Sequence, residues 1–108
     1  MAYFIAFDYW NQRIVAYDET WQHAVSRHPE LIGKESYVMA SLVTPIVLYQ
    51  SDTHPTTRLY QGPVIETGIY GGTKPISVVE YRSASNRVWK TGYFTSLDPD
   101  LKILWEKK

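Results

Sequence analysis

The 108-residue chain contains no cysteine. That excludes disulfides, thiolate nucleophiles and sulfur-ligated metal sites. It also lacks an excess of charge. Eleven Lys and Arg balance eleven Asp and Glu, for a formal net charge of zero. A general nucleic-acid binder carries a basic surplus to follow the phosphate backbone, so that class is disfavoured, although a small local basic site is not. No apolar run reaches membrane-spanning length. The N-terminus, Met1 to Asp8, has no basic segment leading into a long apolar one, so it does not read as a signal peptide, and a cytoplasmic protein is expected. The three histidines, at positions 23, 28 and 54, do not have zinc-site spacing. P-loop, dinucleotide and Gly-x-Ser-x-Gly motifs are missing too, so no metal or cofactor is expected.

Aromatic residues are plentiful, with nine Tyr and four Trp. Broad rings pack well on a pleated surface, which favours sheet. The length fits one domain spanning residues 1–108. Tyr3 to Trp10 alternates, with Tyr3, Ile5, Phe7 and Tyr9 on one strand face and Phe4, Ala6, Asp8 and Trp10 on the other. Asn11-Gln12 offers a turn, and Arg13 to Tyr17 returns as the second strand of a hairpin. Asp18 or Thr20 is placed to cap a helix from about Glu19 to Arg27 or His28, where Pro29 stops it. Lys34 to Val43 reads as a second helix with Val38, Met39 and Leu42 at core spacing.

Ile46 to Tyr49 and Arg58 to Gln61 read as strands around a polar loop, Ser51 to Thr57. Val64 to Thr67 reads as a short strand before the breaks at Gly68, Gly71 and Gly72. Ile76 to Arg82 and Arg87 to Thr95 are the clearest strands, and Ile103 to Trp105 reads as a short terminal strand or an anchoring tail. Helices grouped ahead of a run of strands imply an α+β fold. The expected form is an N-terminal hairpin and two helices packed on one face of an antiparallel sheet of about four strands, with the sheet's other face open for a ligand.

The run Trp21-x-His23-Ala24-x-x-x-His28-Pro29-Glu30-Leu31 resembles the W-x-H-I-x-x-x-H-P-E-L motif of phage-associated barnase/EndoU/colicin/RelE-like (BECR) nucleases. Leu42-Val43-Thr44-Pro45 is similar to the family's helix-ending L-x-x-P. Ile76 to Tyr81 is similar to its apolar central strand, Val88 to Tyr93 to its v-x-x-T-A-Y strand with Gly92 in place of Ala, and Leu101 to Trp105 to its usual end. The likeness runs from about Arg13 to Trp105. Ala24 where the family has Ile, the Gly-rich stretch 62–74 and the long aromatic opening strand depart from it.

The resemblance implies a BECR/RelE-like fold and a toxin-like, metal-independent endoribonuclease. In such a reaction the ribose 2′-OH attacks the adjacent phosphate, a base and an acid move the protons, and cations stabilise the phosphorane. Histidine suits the proton transfers and arginine the phosphate. The catalytic candidates are His23, His28, Arg58, Thr91 and Tyr93, and the substrate-binding candidates are Tyr60, Arg82 and Arg87.

Each candidate also has an ordinary reading. His23 and His28, five residues apart on a helix, point about 140° apart and cannot share one site. His28 lies in the Trp21/Val25 stripe and can simply pack on the core and bond its own helix end. His23 and Arg27 can be a solvent-exposed i,i+4 pair. Arg58 and Tyr60 share a strand face, Arg82 shares one with Glu80, and Thr91 and Tyr93 share one with Arg87 and Trp89. Arg82 with Glu80 can be plain strand pairing, and His54 a solvated loop residue.

The implied partner is RNA, tRNA or mRNA, with an antitoxin or immunity protein beside it. The competing function is a catalytically inactive BECR-like module that binds protein or RNA. The opening strand also invites a homodimer.

Overall fold

In the computed structural model, which describes residues 1–108, the elements run β1 (Ala2–Phe7), β2 (Arg13–Tyr17), α1 (Asp18–Arg27), one 3₁₀ turn (Pro29–Leu31), α2 (Glu35–Val43), β3 (Val47–Gln50), β4 (Thr57–Gln61), β5 (Lys74–Ser83), β6 (Asn86–Thr95) and β7 (Lys102–Glu106). All strands join one sheet in the order β1-β2-β6-β5-β4-β3-β7. Neighbours are antiparallel except β2 and β6, which are parallel.

The α+β class is as expected, but the sheet is wider than the four strands anticipated. The N-terminal hairpin is not a layer on the sheet. It extends the sheet, because β2 pairs Ile14 with Arg87 and Val15 with Val88 on β6. At the far side the terminal strand adds itself to β3, Leu48 opposite Trp105. β1 is left as an edge strand with one side unpaired.

α1 begins directly after Tyr17, which makes no side-chain cap. Asp18 is the first helical residue rather than the cap expected of it. With Glu19 it places negative charge in the first turn, where the helix dipole favours it. Trp21 and Ala24 are buried on the sheet, and the chain leaves the helix at His28-Pro29. Gly33 adopts a left-handed φ of 74° before α2, which buries Val38, Ser41 and Leu42. The short strand expected at Val64 to Thr67 does not form. That stretch is a loop closed by Ile65 N–H donating to the Thr73 carbonyl (2.8 Å) and Gly72 N–H to the Ile65 carbonyl (2.7 Å).

Under the helices, Trp89 and Tyr60 are fully buried among Ile14, Leu31, Leu42 and Val79. The polar atoms in this core form a one-way chain. Trp89 Nε1–H donates to Ser77 Oγ (3.1 Å), Ser77 Oγ lies 2.7 Å from Ser41 Oγ, and Ser41 donates to the Val38 carbonyl (2.6 Å). Because the Ser41 proton goes to Val38, Ser77 is the donor to Ser41.

Gly92 borders this core. A Cβ there would stand 2.9 Å from the Ile76 carbonyl oxygen and 3.1 Å from the Trp89 ring. Gly92→Ala is therefore expected to cost about 1–3 kcal/mol, the usual penalty of overpacking, and denaturant unfolding will measure it.

Two irregularities change which faces residues occupy. Between Val78–Thr91 and Val79–Trp89 the β5–β6 register shifts, and Lys90 is the extra residue of a bulge. Thr91 and Tyr93 therefore face away from Trp89 and Arg87, not with them as simple alternation predicts. A second shift between Ala2 and Phe4 turns Tyr3 to the helix side, where its ring stacks on Trp21 at 4.7 Å and its hydroxyl donates to Glu35 (2.7 Å).

The sheet's second face is open over only part of its area. Val47, Tyr49, Leu59 and Ile76 form a smaller cluster with Leu101 from the β6–β7 connection, and Asp98 of that connection pairs with Lys74. What remains open centres on Val78, Glu80 and Lys90.

Candidate active site on the open sheet face

On the uncovered part of this face, His54, Thr57, Val78, Glu80 and Lys90 line a depression of about 310 Å3. The strands place its floor. Thr57 of β4 stands opposite Glu80 of β5, and Val78 stands opposite Thr91 of β6. The bulge carries Lys90 to the same side. Arg82, two residues along β5, donates from Nε to Glu80 Oε1 at 2.8 Å.

The β3–β4 loop brings His54 in, and its own polar side chains hold it. Ser51 Oγ accepts the backbone N–H of Thr53 (3.3 Å) and of His54 (3.2 Å). Ser51 N–H donates to the Thr57 carbonyl and Thr57 N–H to the His54 carbonyl, each at 3.0 Å. The Gln50 amide nitrogen lies 3.1–3.4 Å from the carbonyls of Ser51, His54, Pro55 and Thr57. Its two protons are shared among four acceptors, which draws the loop around one point. Thr53 Oγ1 lies 2.9 Å from His54 Nδ1, orienting the ring with Nε2 as the other nitrogen.

The charges around Glu80 are mainly positive. The Arg82 hydrogen bond holds its carboxyl below the usual carboxylate range, against a partial opposing effect of burial. The charges of Arg82, Lys90 and His54 add to the lowering. One carboxylate kept ionised, one imidazole oriented by a hydroxyl, and one cation thus line a shallow, solvent-facing site, with Arg82 held at its edge by Glu80. No group of three or more His, Asp or Glu side chains is arranged to hold a metal ion.

The sequence candidates divide among several places. Arg82 does not line the depression but bonds Glu80 at its edge, and Thr91 borders it across from Val78. Tyr93 faces the same side higher on β6 and is half-buried, its hydroxyl pushed up by burial. The His28 ring lies 6.0 Å from the Tyr93 ring, and His28 Nδ1 lies 3.5 Å from Glu30. His23 is exposed on α1, as is Arg27. Neither helical histidine lines the depression.

Arg58, Tyr60 and Arg87 come together on the opposite, helix-bearing face around Tyr81. Glu80, Lys90, Thr57 and Gln50 were missing from the sequence candidates. Only the polar density of Ser51 to Thr57 signalled an ordered loop. Comparison with protein-family models, curated proteins and solved structures finds no match to this chain.

Proposed function

We propose that the chain is a small metal-independent endoribonuclease of BECR/RelE-like type, with its active site at the His54/Glu80/Lys90/Arg82 depression. The observation that carries this reading is the convergence of an ionised carboxylate, an oriented imidazole and Lys90 on the open sheet face, with Arg82 bonded to the carboxylate at the edge. The order of motifs from Trp21 to Trp105 supports it.

Glu80 takes the proton of the ribose 2′-OH as the 2′-oxygen forms its bond to phosphorus. The bond from phosphorus to the 5′-oxygen breaks, and protonated His54 gives that oxygen its proton. Lys90 and Arg82 stabilise the negative charge that builds on the phosphorane. The products are a 2′,3′-cyclic phosphate and a 5′-hydroxyl, and the acid and base end with exchanged protonation states.

The test is incubation of the purified protein with single-stranded RNA in the presence of a chelator. Expected are fragments bearing 2′,3′-cyclic phosphate ends, no cleavage where the attacking nucleotide is 2′-deoxy, and a loss of about 10²–10⁴-fold with His54→Ala. A second reading, a catalytically inactive module that binds RNA, is favoured by the exposure of His23 and the absence of both helical histidines from the lining of the depression. Retained RNA binding with no cleavage would establish it and remove the first.

A further inference from the structure

The helix-bearing face carries a second cleft, away from the open face. It has a volume of about 410 Å3 and is lined by Trp10, Gln12, Leu48, Arg58, Leu104 and Trp105. We infer that this cleft is a binding site for a nucleoside monophosphate, with the base held against Trp10 and Trp105 and the phosphate on Arg58.

Arg58 is the only charged residue of the lining. It is half-buried and takes part in none of the chain's ion pairs. Its guanidinium lies over the Tyr81 ring, 4.5 Å from the centre, and its fork of N–H donors meets no acid. Arg87 approaches the same ring at 5.6 Å, and its buried Nε has no hydrogen-bond partner. Arg87 lies outside the lining and donates its other guanidinium nitrogens to the Arg13 and Ala84 carbonyls, so Arg58 is the cation left to meet an anion in the cleft. The Tyr81 ring is itself fixed, because its hydroxyl donates to the Tyr60 hydroxyl, whose own proton goes to Asp8, and lies 3.3 Å from Gln12 Oε1. That leaves Gln12 Nε2 as a free donor at the rim.

The other walls suit a flat ring. Trp10 and Trp105 meet nearly at right angles, 85°, with centroids 5.0 Å apart, so they form a corner with an edge and a face. Trp10 and Leu104 are partly exposed although large and apolar. A planar base against such rings and a phosphate on a pre-set guanidinium use both halves of the cleft. The volume lies within the usual range for small-molecule sites. The inference does not rest on the nuclease reading, since no residue is shared between the two sites.

The experiment is calorimetric titration with 5′-AMP, adenosine and inorganic phosphate, in the unaltered chain and in Arg58→Gln, Leu104→Asp and Glu80→Gln. 5′-AMP should bind the unaltered chain and Glu80→Gln equally, quenching tryptophan fluorescence in both. Adenosine and phosphate should each bind at least about tenfold more weakly. Arg58→Gln should weaken 5′-AMP by about tenfold or more, and Leu104→Asp should do the same by placing a negative charge on an exposed strand residue where the fold tolerates it. Absence of 5′-AMP binding would overturn the inference. So would loss of binding in Glu80→Gln with retention in Arg58→Gln and Leu104→Asp, which would place the nucleotide on the open face.

Discussion

Glu80→Gln is expected to lower RNA cleavage by about 10²–10⁴-fold, the range over which a positioned general base acts. Gln keeps the shape of Glu and can still accept a hydrogen bond from Arg82, but it cannot take a proton from the 2′-OH. Glu80 is partly exposed on the sheet face, so the fold should survive and RNA binding should change far less than turnover. A fall in binding to match the fall in rate would mean that Glu80 organises the site without acting as base.

The same pair gives a pH signature. Arg82 holds the Glu80 carboxyl below its ordinary range, so the base stays ionised down to more acidic pH than a free Glu would allow. Removing the guanidinium in Arg82→Ala raises the Glu80 pKa. The acid limb of kcat/KM must then move to higher pH, by an amount the profile reads directly. An acid limb that stays in place in Arg82→Ala would separate it from Glu80 altogether.

The fold was legible in the sequence where local pattern decided the outcome, and obscured where a single backbone irregularity did. Pro29 and Pro45 marked the helix ends because proline disfavours helical geometry in the residue before it. Val38 and Leu42 were readable as core from helical spacing, and both are buried. The joining of β2 to β6 and of β7 to β3 depends on pairs far apart in sequence, such as Ile14 with Arg87 and Leu48 with Trp105, which no local pattern encodes. The Lys90 bulge reversed the faces of Thr91 and Tyr93, since one extra residue inverts a period of two.

The site suffered from the same cause. Arg82 and Glu80 were correctly placed on one face, but an acid and a base two apart on a strand read as ordinary pairing. His54 read as a solvated loop residue because its loop lacks the periodicity that would show where it points. Its position is set by Gln50 and Ser51, whose side chains bond backbone groups of the loop. Convergence of side chains from β4, β5, β6 and that loop is a property of the tertiary fold alone.

Asp8→Ala is expected to have the largest effect on stability. Asp8 is 5% exposed and ties the β1–β2 loop to the core. Its Oδ1 accepts the backbone N–H of Trp10 (2.9 Å) and of Gln12 (2.8 Å), and its Oδ2 accepts the Tyr60 hydroxyl (2.6 Å). Alanine strands the two loop N–H groups and leaves the Tyr60 hydroxyl only Tyr81 to turn to. Each buried donor left unpaired costs about 1–3 kcal/mol, so a total of about 3–5 kcal/mol is expected after water reaches some of them, a large share of the roughly 5–15 kcal/mol that holds a domain folded. Asp8→Asn should cost less, since its oxygen can keep the two loop N–H groups while Tyr60 turns its proton to the Tyr81 hydroxyl. Tyr60→Phe should cost about 1–3 kcal/mol, and the Asp8→Ala/Tyr60→Phe pair less than the sum, because both remove one shared bond.

Alkaline titration checks the same network independently. Burial, then the neighbouring Tyr81 and Asp8, push the Tyr60 hydroxyl far above the ordinary tyrosine range, and burial raises Tyr81 as well. In the unfolded chain these hydroxyls ionise near pH 10, about the unperturbed tyrosine value. Their stabilising contribution is complete below that pH and is lost as pH climbs towards the folded-state values, because only the unfolded chain then releases the protons. Denaturation midpoints should therefore fall steeply above about pH 10 in the unaltered chain, and less steeply in Tyr60→Phe. Equal slopes in the two proteins would show that Tyr60 is not the group that resists ionisation.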